Sequence, residues 1–148
     1  MSMLADWLRT TEVARWWGDP DEELALVTGD LDQPLMRQWI VAYENRPFAY
    51  VQAYPVQAWP QPHLAALPNG TVAVDAFIGV PDMIGRGHGS AFVRAYADGL
   101  LNSGTPRVVT DPDPVNTRAI RAYEKAGFRR DCLVETPDGP ALLMMRDQ

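Results

Sequence analysis

Three groups of residues in this chain have types and spacings that could do chemistry. The first is the turn Gly85-Arg86-Gly87-His88-Gly89. Glycines at alternate positions let a backbone approach a bulky anion without β-carbons in the way. A helix beginning there aims unpaired N–H groups and the positive end of its dipole at that anion. A pyrophosphate is the natural guest, and a flexible strand-to-helix connection is the plainer reading. The turn is not a Walker loop, because no Gly-Lys-Ser/Thr follows, and it matches a Rossmann fingerprint poorly. The second group is Asn116, Ala119 and Tyr123; Ala119 and Tyr123 stand at i, i+4 and share a helix face. A phenol of ordinary pKa about 10 is mostly protonated at neutral pH and can donate its proton; packing alone is the other reading of Tyr123. The third is Asp75, an acid inside an apolar run, expensive to bury without a partner unless it faces solvent from a one-sided sheet. Metal catalysis has little support: His63 and His88 are isolated, and no His/Cys/Asp cluster has ligand spacing.

These groups need elements to hold them. Leu4, Trp7, Leu8 and Val13 predict a first helix over Leu4 to Trp17, ended by Gly18-Asp19-Pro20. Asp21-Glu22-Glu23 then opens a short second helix, where the dipole favours acids. Met36–Tyr43 and Phe48–Tyr54 read as a hairpin around the turn Glu44-Asn45-Arg46-Pro47. Pro55 to Gly70 holds four prolines and reads as a loop. Thr71–Val80 is β-rich and carries Asp75. The glycine turn leads into a helix over Gly87–Asn102, with Phe92, Val93, Tyr96 and Leu100 on its apolar face. A short strand over Arg107–Thr110 precedes a helix over Val115–Ala126, and Gly127 stands where a left-handed cap belongs. Phe128–Glu135 and Pro140–Met145 read as strands around Pro137-Asp138-Gly139. The fold class is mixed α and β.

Composition narrows the field. A length of 148 residues fits one compact domain over 1–148. The net charge of -6 argues against nucleic acid, whose phosphates need a basic patch, and favours a cationic ligand. The single cysteine, Cys132, excludes an internal disulfide and fits a reducing compartment. No apolar run is long enough to cross a bilayer, and Asp6, Arg9 and Glu12 stand where a signal peptide needs apolar residues. A cytoplasmic protein is expected, with no membrane partner.

The glycine turn followed by Asn116 through Phe128 resembles the acyl-CoA site of the Gcn5-related N-acetyltransferase (GNAT) family. The resemblance spans roughly Thr71 to Met145. It implies a central, mixed, mostly antiparallel sheet flanked by helices, with acetyl-CoA as co-substrate and no metal. It implies that the diphosphate lies on Gly85, Arg86, Gly87, His88, Gly89 and Ser90, although Ile84 stands where the family has a polar residue. An outward-facing His88 is the simpler reading of that side chain. The pantetheine arm would follow the strand through Phe77, Ile78 and Val80, whose N–H groups would stabilise a developing oxyanion, with Asn116 and Ala119 on its other side. The tyrosine matching Tyr123 lies near the thioester sulfur. A thiolate leaving group has a pKa near 8.5, so a phenol can protonate it. The amine attacks directly, and Cys132 is dispensable.

A narrower resemblance, to aminoglycoside 6′-N-acetyltransferases, rests on Thr110 through Phe128, Glu135 through Ala141, and Trp16-Trp17-Gly18. It implies that Asp75 orients the reacting ammonium group and accepts its proton. It also implies that Asp111 and Asp138 hold a polycation, while Gln52, Tyr54, Trp16 and Trp17 line the sugar site. Plainer readings stand beside these: Asp111 caps a turn before Pro112, Asp138 serves only its hairpin, and the tryptophans are core. Two departures are visible. Family members begin with a strand, whereas here a helix begins at Met3, so the first strand is missing and an edge is left open or covered by another subunit, as in a homodimer. The Pro55–Gly70 loop has no acid, and Trp59 and His63 are its only candidates for acceptor contact. Other acceptors, a siderophore lysine or a peptide amine, fit the same donor site, and a non-catalytic acyl-CoA-binding module is the reading outside enzymes.

Overall fold

The computed structural model describes residues 2–148. Six strands form one sheet: β1 (Arg37–Tyr43), β2 (Arg46–Pro55), β3 (Val72–Ile78), β4 (Arg107–Thr110), β5 (Arg129–Thr136) and β6 (Gly139–Asp147). Their order is β1-β2-β3-β4-β6-β5. Only β3 and β4 run parallel; the other neighbours are antiparallel. Five helices flank the sheet: α1 (Ser2–Leu8), α2 (Thr11–Trp17), α3 (Pro20–Gly29), α4 (His88–Asn102) and α5 (Thr117–Lys125).

Strand alternation sorts the side chains into two layers. Val51, Ala53, Val72, Val74, Val108 and Met144 face α4 and α5, and pack on Val93, Ala97, Leu100, Ile120 and Tyr123. Tyr50 and Phe77 face the other way and pack on Leu4, Trp7, Leu8, Val13 and Val27 of α1–α3. On that same face the Pro55–Gly70 loop folds down, burying Val56 and Leu64 against Ala73, Val109 and Met145.

The expected first helix is two helices. Thr10 is extended, at φ -62° and ψ 150°, and its hydroxyl donates to the Trp7 carbonyl at 2.8 Å. That competing hydrogen bond breaks the ladder and lets Trp7 and Val13 both reach the core from different directions. Gly18, at φ 95°, ends α2. The Asp19 carboxylate then caps α3, accepting from the N–H groups of Asp21 and Glu22 at 3.0 Å each. The hairpin turn is shorter than expected: Glu44 and Asn45 sit at φ 49° and 65°, the left-handed pair a two-residue turn requires, and β2 resumes at Arg46.

The strands β3 and β4 pair only at Val72 with Val108 and Ala73 with Val109. The cause lies just past β4. The Pro112 carbonyl takes the Leu142 N–H at 2.8 Å, drawing the chain toward β6, and Pro112 has no N–H to offer β3. From Val74 onward, β3 keeps β2 on one side and no strand on the other. This gap opens the site. At the far edge β1 has a single neighbour, and no strand precedes α1 among the described residues.

Candidate active site

Two cavities meet at the gap between β3 and β4. One, about 150 Å³, is lined mainly by apolar groups, among them Val13, Ile78, Ile84, Gly89, Phe92 and Val93. The other, about 280 Å³, is lined by Glu23, Gln52, Asp75, Thr110, Asp111, Pro112 and Asp113. Trp16, Trp17, Ala76, Asn116, Ala119 and Tyr123 line both. Tyr123 therefore stands at the junction of an apolar chamber and an acidic one.

The apolar chamber reaches the glycine turn through Ile84 and Gly89. Gly85 and Gly87 have φ of 78° and 83°, where L side chains are strained. No atom lies within 4 Å of a β-carbon built on either. No side chain caps α4, so its first-turn N–H groups lack an intrahelical partner. The Ser90 hydroxyl donates back to the Gly87 carbonyl at 3.1 Å. An uncapped helix start, open space over two left-handed glycines and the unpaired edge of β3 together fit a long phosphate-bearing chain. Arg86 is exposed beside them. His88 does not face outward: its ring packs against Tyr43 and Phe48, at 4.9 and 5.6 Å between centroids. Val80 spends its N–H on the Phe48 carbonyl at 3.3 Å, whereas Phe77 and Ile78 line the chamber.

The helix α5 closes the junction. The Asn116 side-chain oxygen accepts from the Ala119 N–H at 3.2 Å and so caps α5, leaving its amide NH2 uncommitted to that cap. Gly127, at φ 98°, ends the helix, and Phe128 packs its ring 5.6 Å from Tyr123. Tyr123 is buried. Burial raises its pKa most, the Thr110 side chain opposes the rise, and the charges of Asp75 and Asp111 add to it. The phenol stays protonated and remains a proton donor.

In the acidic chamber, Gln52 donates to Asp75 Oδ2 at 3.1 Å, and the Tyr50 hydroxyl donates to Gln52 Oε1 at 2.7 Å. Asp75 thus points into the cavity from an inner strand of the sheet, half-buried, rather than out to solvent. Burial pushes its pKa up to about 7, the Asp111 charge adds to the rise, the Gln52 hydrogen bond opposes it, and Glu23 adds again. Asp111 does not cap the turn before Pro112. Its Oδ2 lies 2.8 Å from His63 Nε2; the turn held by a carboxylate is the next one, where Asp113 accepts from the Val115 N–H at 3.0 Å. His63 is accordingly not isolated. Burial raises the Asp111 pKa, and His63 opposes that rise.

Other expected residues fall at the margins. Trp17 packs on Phe77 and Tyr50, at 4.9 and 6.2 Å, while Trp16 lies under the Arg15 guanidinium at 4.5 Å; both also line the cavities. Tyr54 lies behind the chamber, its hydroxyl accepting from Gln61 at 3.3 Å and its ring against Trp59. Asp138 is exposed on the β5–β6 turn, and its charge raises the pKa values of both Glu23 and Asp111. Sequence reasoning missed Glu23 and Asp113 as lining residues. Glu23 read only as a first-turn acid of α3, and nothing local signals that α3 turns it inward.

The sequence matches the family described as the acetyltransferase (GNAT) domain over residues 1–136. It is 32% identical over 158 aligned positions to the aminoglycoside N(6′)-acetyltransferase type 1 of Klebsiella pneumoniae, covering 99% of this chain and 77% of that one. It is 44% identical over 78 positions to a kanamycin resistance protein of Rhizobium radiobacter, covering 52% of this chain and 72% of the relative. The fold superposes on the crystal structure of the aminoglycoside acetyltransferase AAC(6′)-Ib in complex with coenzyme A and kanamycin. That match has a TM-score of 0.88 and 31% identity, and covers 99% of this chain and 88% of the other.

Proposed function

We infer the reaction from one premise: the chain belongs to the GNAT acetyltransferase family, and it is an N-acetyltransferase. Its residues 1–148 form one acetyltransferase domain that transfers acetyl from acetyl-CoA to a primary amine of a small polycationic aminosugar, of the aminoglycoside type. The observation that carries this reading is Tyr123 at the junction of a chamber leading to a glycine-turned helix start and a chamber walled by acids. The relatives supply the acceptor class: they are named for aminoglycosides, and one was solved with kanamycin.

Acetyl-CoA, when bound, supplies the acyl group and the thiolate leaving group. The residues of this chain do the rest. The main chain of Gly85, Arg86, Gly87, His88, Gly89 and Ser90 holds the diphosphate with N–H groups. The unpaired edge of β3 at Phe77 and Ile78 and the free amide of Asn116 hold the arm that follows, and Ala119 keeps that wall low. Asp75 orients the reacting ammonium group, takes its proton and frees the nitrogen lone pair. Tyr123 holds its phenolic proton for the departing sulfur, and the phenolate so formed would take up the second proton, the one the acetylated nitrogen gives up. Glu23, Asp111 and Asp138 hold the remaining ammonium groups, with Gln52, Trp16 and Trp17 against the sugar faces. The Val80 N–H is already spent, so oxyanion stabilisation falls to the N–H groups before it on β3.

A thiol-release assay with acetyl-CoA and a panel of aminosugars tests this reading. Turnover of 6′-amino sugars that is lost in both Tyr123→Phe and Asp75→Asn supports it; parental turnover in both variants overturns the assignment. Two coarser features complete the proposal. Trp39, Ile40 and Tyr43 lie exposed on the open edge β1, so two copies pair through β1 as a homodimer. No described helix is long and apolar enough to cross a membrane, and with one exposed cysteine the chain works in the cytoplasm.

A further inference from the structure

The Pro55–Gly70 loop has no acid and none of its residues lines the acceptor chamber, yet one of its side chains braces a residue that does. His63 rides on a short 3-10 turn over Pro62–Leu64, and its side chain is 2% exposed. The loop is fastened around it. Leu64 is buried under the sheet, Gln61 donates to the Tyr54 hydroxyl at 3.3 Å, Trp59 packs on the Tyr54 ring at 5.6 Å, and the Thr71 hydroxyl donates to the Pro68 carbonyl at 2.7 Å. His63 therefore reaches Asp111 from a rigid base. Its Nδ1 is buried with no hydrogen-bond partner. A proton on Nδ1 would be stranded, so the imidazole carries its N–H on Nε2 and gives it to Asp111 Oδ2.

The bond solves a problem the chamber creates. Asp111 faces Asp75 from β3, Asp138 from the β5–β6 turn, and Tyr123 from α5, with Glu23 of α3 and Asp113 of its own loop lining the same space. An unrestrained carboxylate among like charges turns toward solvent. Held at Oδ2, Asp111 keeps 31% of its side chain exposed while lining the cavity. We propose that His63 is a positioning residue for acceptor specificity: it pins one oxygen of Asp111 so that the other is presented to a second ammonium group of the acceptor. Asp75 serves the reacting amine, and the His63–Asp111 pair selects molecules that carry another. This inference rests on the function proposed above.

The test compares His63→Gln with His63→Asn. The longer amide places its NH2 near the position of Nε2; the shorter one stops near Nδ1 and cannot reach Asp111. Calorimetry in the presence of coenzyme A uses kanamycin, a polyamine, and 6-amino-6-deoxyglucose, a monoamine. The expected result is about tenfold weaker kanamycin binding in the Asn variant, a change below about threefold in the Gln variant, and a loss below about threefold for the monoamine in either. In turnover the Asn variant raises KM for kanamycin far more than it lowers kcat. Equal losses for Asn and Gln, or for the two sugars, overturn the proposal. Titration of the Asp111 carboxyl carbon by NMR in the free protein separates this outcome from failure of the parent reading. The Asn variant raises the midpoint and the Gln variant does not, whether or not the parent acetylates any sugar; an unmoved midpoint in the Asn variant ends the idea even where the enzyme is active.

Discussion

Asp75 and Tyr123 are both held toward the protonated form by their surroundings, with opposite consequences. For Tyr123 this preserves the donor. Tyr123→Phe keeps the ring packed on Phe128 and removes only the hydroxyl, so kcat should fall about 100-fold with little change in coenzyme A affinity by calorimetry. For Asp75 the base form has to be won from a pKa pushed up to about 7, and kcat/KM should rise with pH through a midpoint near that value in a pH–rate profile. The stability sign is the reverse. A carboxyl whose pKa is raised on folding contributes stability that is complete below its ordinary value and lost as pH rises through the folded one. Asp75→Asn should therefore raise Tm at pH 8 by about 2–4 °C while lowering turnover at least about 100-fold; a thermal melt and an activity assay on the same sample check both. Asp75 and Tyr123 were legible in the sequence because each is chemically out of place or spaced on a helix face. Glu23 and the His63–Asp111 pair were not, since 48 positions separate the latter and only the tertiary fold brings them together.

Elements set how well those side chains are aimed. At Gly79, just past β3, a β-carbon would stand 2.2 Å from the Trp7 ring. The absence of a side chain is what lets α1 lie flat on the sheet and α2 carry Trp16 and Trp17 to the junction. Gly79→Ala should cost about 3 kcal/mol, a Tm drop of about 6–12 °C at this chain length, measured by thermal melting. Gly87→Ala should act differently. The open space around it tolerates the methyl group, but the left-handed φ does not, so the helix start shifts and coenzyme A binding weakens about tenfold by calorimetry. The strands could be read from alternation, and α4 from the apolar periodicity of Phe92, Val93, Tyr96 and Leu100. The division between α1 and α2 could not, because Leu4, Trp7, Leu8 and Val13 keep helical spacing across the break and a single threonine hydroxyl decides it.

The whole molecule is acidic, at -6, and the carboxylates of the acceptor chamber concentrate that sign where the proposed polycation would enter. The kcat/KM for kanamycin should fall about tenfold between 20 and 500 mM salt, while the KM for acetyl-CoA changes little, measured by steady-state kinetics. The order of elements along the chain was readable from the sequence, including a helix rather than a strand at the start; their order across the sheet was not. The parting of β3 from β4 was not: it follows from the Pro112 carbonyl turning to β6, a choice made between strands far apart in the chain. That parting leaves two rooms sharing one doorway at Tyr123. A bisubstrate conjugate, with an aminosugar tethered to the sulfur of coenzyme A, would thread the doorway and gain the avidity of both rooms at once.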